Sequence, residues 1–214
     1  MQLASEMSRL YDIEKLTFFR ACECYEELEA AGKLDADALI FVNSIASVSL
    51  SDEDWASYCE AHSAILPKLV VEITEEEEMN ERELERKRNV PGSSGVFALD
   101  DYGSGYSNGN SLLTVAPKYV KVDIAIIRGI DTDADKQQFL RTLIDYAHPR
   151  GVQVLAEGVE TLSELRKVLE MGVDLLQGYC LAPPAAEPGA IDEKAAEVIA
   201  EVESQKAERE EAGS

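Results

Sequence analysis

Histidine is almost missing from this chain, with two in 214 residues, and its four cysteines form no Cys-x-x-Cys pair. An imidazole- or thiolate-bound zinc site is therefore disfavoured, and any metal should sit among oxygen ligands. Basic residues are scarce too: 20 Lys plus Arg stand against 42 Asp plus Glu, a formal charge of −22. Without a basic stripe to displace counterions, duplex nucleic acid is excluded as a partner. A small phosphate ligand is not excluded, because a bound divalent cation reverses the local sign. No run reaches the ~18 apolar residues of a membrane span, and no basic n-region precedes an apolar stretch. A cytoplasmic protein making no membrane contact through this segment is expected. Cys22, Cys24, Cys59 and Cys180 are read as buried free thiols of a reducing compartment.

What the chain does have is an apolar fraction of 45%, enough for a large core. It also has six short apolar runs, each ending on a residue able to hold a metal or move a proton. These are Ala38–Val42 into Asn43, Lys68–Val71 into Glu72, and Gly95–Leu99 into Asp100 and Asp101. They continue with Tyr119–Val122, carrying Lys121 and Asp123, then Val152–Ala156 into Glu157 and Asp174–Leu176 into Gln177. Helical or loop segments separate the runs, which predicts βαβ units and a parallel sheet. The fold class is α/β, a TIM-like (β/α) barrel, in which side chains at strand carboxyl ends converge on one mouth.

The expected helices are Ala4–Leu10 and Ile13–Ala31, with Leu16, Phe19, Cys22 and Tyr25 on the apolar face, and a Ser51–Asp54 capping box leading a helix to His62. A charged helix over Thr74–Asn89, a short one over Asn110–Ala116, a long one over Asp135–His148 and a Thr161-capped one to Met171 follow. Residues 1–188 are assigned to the barrel domain and 189–214 to an acidic C-terminal helix or tail. Six strands fall short of the eight of a closed barrel, and the chain opens with helix. The first strands are therefore expected to precede residue 1, leaving the barrel incomplete.

Several of these residues invite a chemical reading. Adjacent carboxylates such as Asp100 and Asp101 can serve two metals, or be a helix cap or a solvated turn. Lys121 and Asp123 share one strand face, and a buried lysine there needs a carboxylate or phosphate partner. Neither His62 nor His148 ends a strand, so both are read as structural.

Together the segments resemble the EAL-domain family of cyclic di-GMP phosphodiesterases. The resemblance rests on Val42-Asn43-Ser44, Val71-Glu-Ile-Thr-Glu75 and Ala98-Leu-Asp-Asp-Tyr-Gly-Ser-Gly-Tyr-Ser107. It continues through Tyr119-Val-Lys-Val-Asp123, Val154-Leu-Ala-Glu-Gly-Val-Glu-Thr161 and Asp174-Leu-Leu-Gln-Gly-Tyr179. It implies hydrolysis of cyclic di-GMP to linear pGpG by a two-metal mechanism with Mg²⁺ or Mn²⁺, in bacterial second-messenger signalling. On the matching positions, Asn43, Glu72 and Asp100 would be first-metal ligands, with Asp101 and Asp123 near the second metal. Lys121 would hold the attacking water, Glu157 would be a metal-side carboxylate or general base, and Gln177 would meet substrate. Glu75, Gly103, Gly105, Ser107 and Glu160 would belong to the loops coupling the metals to substrate and to a dimer partner. Expected partners are cyclic di-GMP, a second copy of the chain, and upstream sensory or GGDEF domains.

The Glu-Ala-Leu segment that names the family does not occur, which agrees with the strand deficit. A catalytically inactive EAL-like module that binds cyclic di-GMP or a protein therefore stays open as the alternative. An unrelated Mg²⁺-dependent barrel lyase would share the strand-end carboxylates but not the Asp100–Ser107 and Gln177–Tyr179 segments.

Overall fold

The computed structural model describes residues 2–75, 81–105 and 111–213. The chain forms two compact units, Met1–Asp100 with Tyr106–Lys118 and Asp101–Gly105 with Tyr119–Ser214.

The first unit opens with one continuous helix, α1 (Gln2–Ala30), where two were expected. Its buried face is Glu14, Phe18, Cys22 and Tyr25 at helical spacing, whereas Leu16 is 62% exposed. The expected apolar stripe was thus displaced, with Phe18 rather than Leu16 turned inward. Phe18 meets Trp55 and Tyr58 of α2 (Asp52–Ala61) edge-on, at ring-centroid distances of 5.3 and 5.8 Å. The Ser51 hydroxyl caps α2 by accepting the Asp54 N–H. The reciprocal half of a capping box is not formed by Asp54, whose carboxylate accepts from Tyr11 and Lys15 of α1.

Three parallel strands follow in register: β1 (Ile40–Asn43), β2 (Leu69–Thr74) and β3 (Val96–Tyr102). Val42, Val70, Val71, Ile73, Phe97, Ala98 and Leu99 pack as their buried core. Of the expected Thr74–Asn89 helix, Thr74 closes β2 and α3 covers Glu81–Arg88. Residues 76–80 lie outside the described residues. Lys87 of α3 is buried, although its helix reads as solvated in the sequence. The unit ends with α4 (Ser111–Val115).

In the second unit β4 (Tyr119–Val122), β5 (Gln153–Ala156) and β6 (Leu175–Leu176) are again parallel neighbours. A short helix not anticipated from sequence, α5 (Ile124–Ile127), starts on Asp123. Leu140, Leu143, Ile144 and Ala147 form the inward stripe of α6 (Ala134–Ala147). The helix α7 (Leu162–Met171) carries the expected Thr161 capping box with Glu164 and stops at left-handed Gly172. The acidic α8 (Glu193–Gly213) packs on α7, burying Ala195, Val198 and Val202 and pairing Glu201 with Arg166.

All four cysteines are free thiols, but only Cys22 is buried. Cys24 is exposed because it lies two residues on, around the helix from Cys22. Among the described residues no helix is long and apolar enough to cross a membrane.

Candidate active site

In the first unit the register sets Asn43 opposite Glu72 and Glu72 opposite Ala98. Asp100 is two residues beyond Ala98, so Asn43, Glu72 and Asp100 belong to one face of β1, β2 and β3. Glu72 and Asp100 are buried and Asn43 is exposed. All three offer oxygen donors. Glu75, just beyond β2, is buried as well: its N–H donates to the Asp100 carbonyl, and its Oε1 accepts the Ser111 hydroxyl at 3.1 Å. This fixes Glu75 at the start of α4.

In the second unit Lys121 stands opposite Leu155, two residues before Glu157. The two side chains therefore share a face, and Lys121 Nζ lies 2.9 Å from Glu157 Oε1 with both largely buried. Asp101 joins them. Its φ of +56° reverses the strand's alternation, so its carboxylate and that of Glu157 offer oxygens within 4.8 Å of one another. The turn occurs at the aspartate itself rather than at the glycines after it. An L-residue held there costs roughly 1 kcal/mol. Asp123 is half-buried and uses Oδ1 to cap α5 through the Ala125 N–H, at 2.7 Å.

The donor chemistry fits a hard divalent cation. Two ligands of one Mg²⁺- or Mn²⁺-type ion, at bonds of ~2.1 Å, lie roughly 3–4 Å apart. The Asp101 and Glu157 oxygens lie within 4.8 Å of one another. Neither histidine contributes: His62 pairs with Glu26 at 3.1 Å and His148 with Asp174 at 3.0 Å.

The turn after β5 is held by Glu164, the capping-box partner of Thr161. Glu164 is buried and accepts the N–H groups of Gly129, Glu160 and Thr161. Burial alone would raise its pKa, but these backbone donors outweigh it and hold the carboxyl below its ordinary value. Glu160 itself turns outward to Arg128, at 2.6 Å. Gln177 is exposed after β6, with its N–H on the Ala156 carbonyl, and helps line a cavity of about 450 Å³ with Ile124, Gly158, Glu160 and Tyr179. Gly103 has φ +94°, and a Cβ there would meet Ile126 at 3.0 Å and Phe139 at 3.2 Å, so glycine is required. Gly105, at φ +111°, is left-handed as well. Ser107 lies outside the described residues.

The profile of the EAL domain matches residues 1–184. The chain belongs to the EAL domain family. This EAL domain is 32% identical over 118 residues to the probable cyclic di-GMP phosphodiesterase PdeG of Escherichia coli, a match covering 54% of the chain and 23% of that protein. It is 27% identical over 163 residues to the cyclic di-GMP phosphodiesterase PdeB of Shewanella oneidensis, covering 73% of the chain and 19% of that protein. The EAL domain therefore spans about a fifth to a quarter of the length of these curated relatives. Among solved structures it resembles BlrP1 of Klebsiella pneumoniae in a manganese and cyclic di-GMP complex. The TM-score is 0.72 at 26% identity, over 85% of this chain and 47% of that one. A standalone EAL protein of Vibrio cholerae O395, bound to cyclic di-GMP, shares the fold with a TM-score of 0.72 at 24% identity, over 87% of this chain and 79% of that one. The fold is thus the α/β, TIM-like one of the EAL proteins.

Proposed function

We propose that this EAL domain hydrolyses one phosphodiester of cyclic di-GMP to give linear pGpG, in the cytoplasm of a bacterium and with Mg²⁺ or Mn²⁺. The observation that carries the reading is the buried Lys121–Glu157 pair at adjacent parallel strand ends, with the Asp101 carboxylate beside it. An ammonium and clustered carboxylates there suit the activation of water next to a phosphate. Asn43, Glu72 and Asp100 would hold one cation, and Asp101 and Asp123 would serve a second. Bound cations would supply charge neutralisation at the phosphate and a more acidic water. Lys121 would orient the attacking water through its N–H groups, and Glu157 would accept its proton. Gln177 contacts the substrate from the cavity lined by Ile124 and Tyr179. Relatives named as cyclic di-GMP phosphodiesterases, and a solved relative holding manganese with cyclic di-GMP, support the reading.

A homodimer belongs to the same proposal, with Leu113 of α4, 69% exposed, available to a second copy. A monomeric mass in solution would remove that part.

The deciding experiment incubates the purified chain with cyclic di-GMP and Mn²⁺ and follows pGpG by chromatography. Turnover that is lost in Lys121→Ala supports the enzyme. A folded, metal-loaded chain that binds cyclic di-GMP without releasing product is instead a binding module.

A further inference from the structure

A buried ion pair grips the two residues that follow Asn43. Lys87 of α3 and Glu14 of α1 are among the least exposed residues of the chain, with side chains 0% and 1% exposed. Lys87 Nζ donates to Glu14 Oε1 at 2.7 Å, to the Ser44 hydroxyl, and to the Ile45 carbonyl at 2.6 Å. The Ser44 hydroxyl donates to Glu14 Oε1 at 2.7 Å, and the Ile45 N–H donates to Glu14 Oε2 at 2.9 Å. Both charged groups thus bond to two consecutive residues, Ser44 and Ile45. Ser44 follows Asn43, and its own N–H donates to the Glu72 carbonyl at 2.9 Å.

Packing alone does not explain the pair. Apolar side chains of similar volume commonly fill such a site with equal or better stability, because two ions must be stripped of water. What an ion pair with five directed hydrogen bonds adds is a single backbone position for the segment it grips. Here that segment joins Asn43 to the rest of the unit and ties it to Glu72.

We propose that Glu14, Lys87 and Ser44 are positioning residues that aim Asn43 and Glu72 at the first cation. The inference rests on the phosphodiesterase reading above and extends it to residues that touch neither metal nor substrate. α1 and α3 become part of the metal site through the backbone of residues 44–45. Sequence gives no hint of this: Lys87 sits in Glu-Arg-Lys-Arg, indistinguishable from a solvated helix face.

The test is Mn²⁺ affinity, measured by titration calorimetry on the full chain, with circular dichroism and thermal unfolding as controls. Glu14→Leu with Lys87→Met replaces the pair by apolar groups. It is expected to stay folded while binding Mn²⁺ roughly 10–100-fold more weakly, the usual effect of losing a group that orients a ligand. Ser44→Ala leaves the pair intact and removes its link to residue 44. It is expected to weaken Mn²⁺ several-fold, and it serves as the test if the double variant does not fold. Folded variants with the parent's affinity overturn the positioning role and leave the phosphodiesterase reading standing. A folded parent that binds no Mn²⁺ overturns both.

Discussion

Replacing Lys121 by methionine removes the ammonium from the carboxylates of the second unit while keeping most of the stem's volume. Lys121 Nζ lies 2.9 Å from Glu157, and Asp101 has an oxygen within 4.8 Å of a Glu157 oxygen. Without the ammonium, two carboxylates face each other at that spacing. At an effective dielectric constant of ~20 and the 4.8 Å upper limit of that spacing, their repulsion is about 3.5 kcal/mol. Breaking a buried pair by removing one partner costs roughly 3–5 kcal/mol in general, so a loss of about 3 kcal/mol is expected. For a chain of this size that lowers Tm by roughly 6–12 °C. The measurement is thermal unfolding by circular dichroism in EDTA. Mn²⁺ at 100 times its Kd adds about 2.7 kcal/mol to a site that binds it. At one fixed Mn²⁺ concentration the gap should narrow, because carboxylates without the neighbouring ammonium would bind the cation more tightly than the parent's do. Turnover would not return with stability, since Lys121 also orients water in the proposed reaction. Equal Tm values for parent and variant in EDTA would refute the claim that Lys121 neutralises this cluster.

Further outcomes are expected. Glu72→Gln and Asp100→Asn should each lower cyclic di-GMP turnover at least ~100-fold in steady-state assays with Mn²⁺, since each removes an anionic ligand while keeping its shape. Glu164→Gln should destabilise the chain by roughly 1–3 kcal/mol at pH 7, because three backbone donors lose their anionic acceptor. Glu164 is held below its ordinary pKa, so its contribution is present above the unfolded carboxylate value, near ~4.3, and is lost as pH falls through the folded value. The parent–variant gap in urea unfolding should therefore close on acidification, and a constant gap would contradict the assignment. Gly158→Ala forces a side chain into φ +64°, with its Cβ 2.7 Å from Ile124 Cβ. A loss of roughly 2–4 kcal/mol and a weakened site at neighbouring Glu157 are expected, read by thermal unfolding and turnover.

Much of this was legible in the residues themselves. All six strands lie within or overlap the apolar runs, because β-branched runs bounded by turn residues leave few alternatives to buried parallel strands. Period-two alternation set Lys121 and Glu157 on one face as soon as β4 and β5 were neighbours in register. The Thr161 capping box, a purely local pattern, also formed as written. The single long α1 was not legible, because the residues between its two amphipathic stretches are neither glycine nor proline and tertiary packing settles their state. Nor was the reversal at Asp101, since a left-handed aspartate has no signature apart from its surroundings. Charge patterning misled at Lys87, where solvation and burial are spelled with the same letters. Sequence determined which polar residues end on which strands. Tertiary structure decided which backbone positions are gripped and which charges are buried, because desolvation and hydrogen-bond geometry depend on partners far apart in the chain.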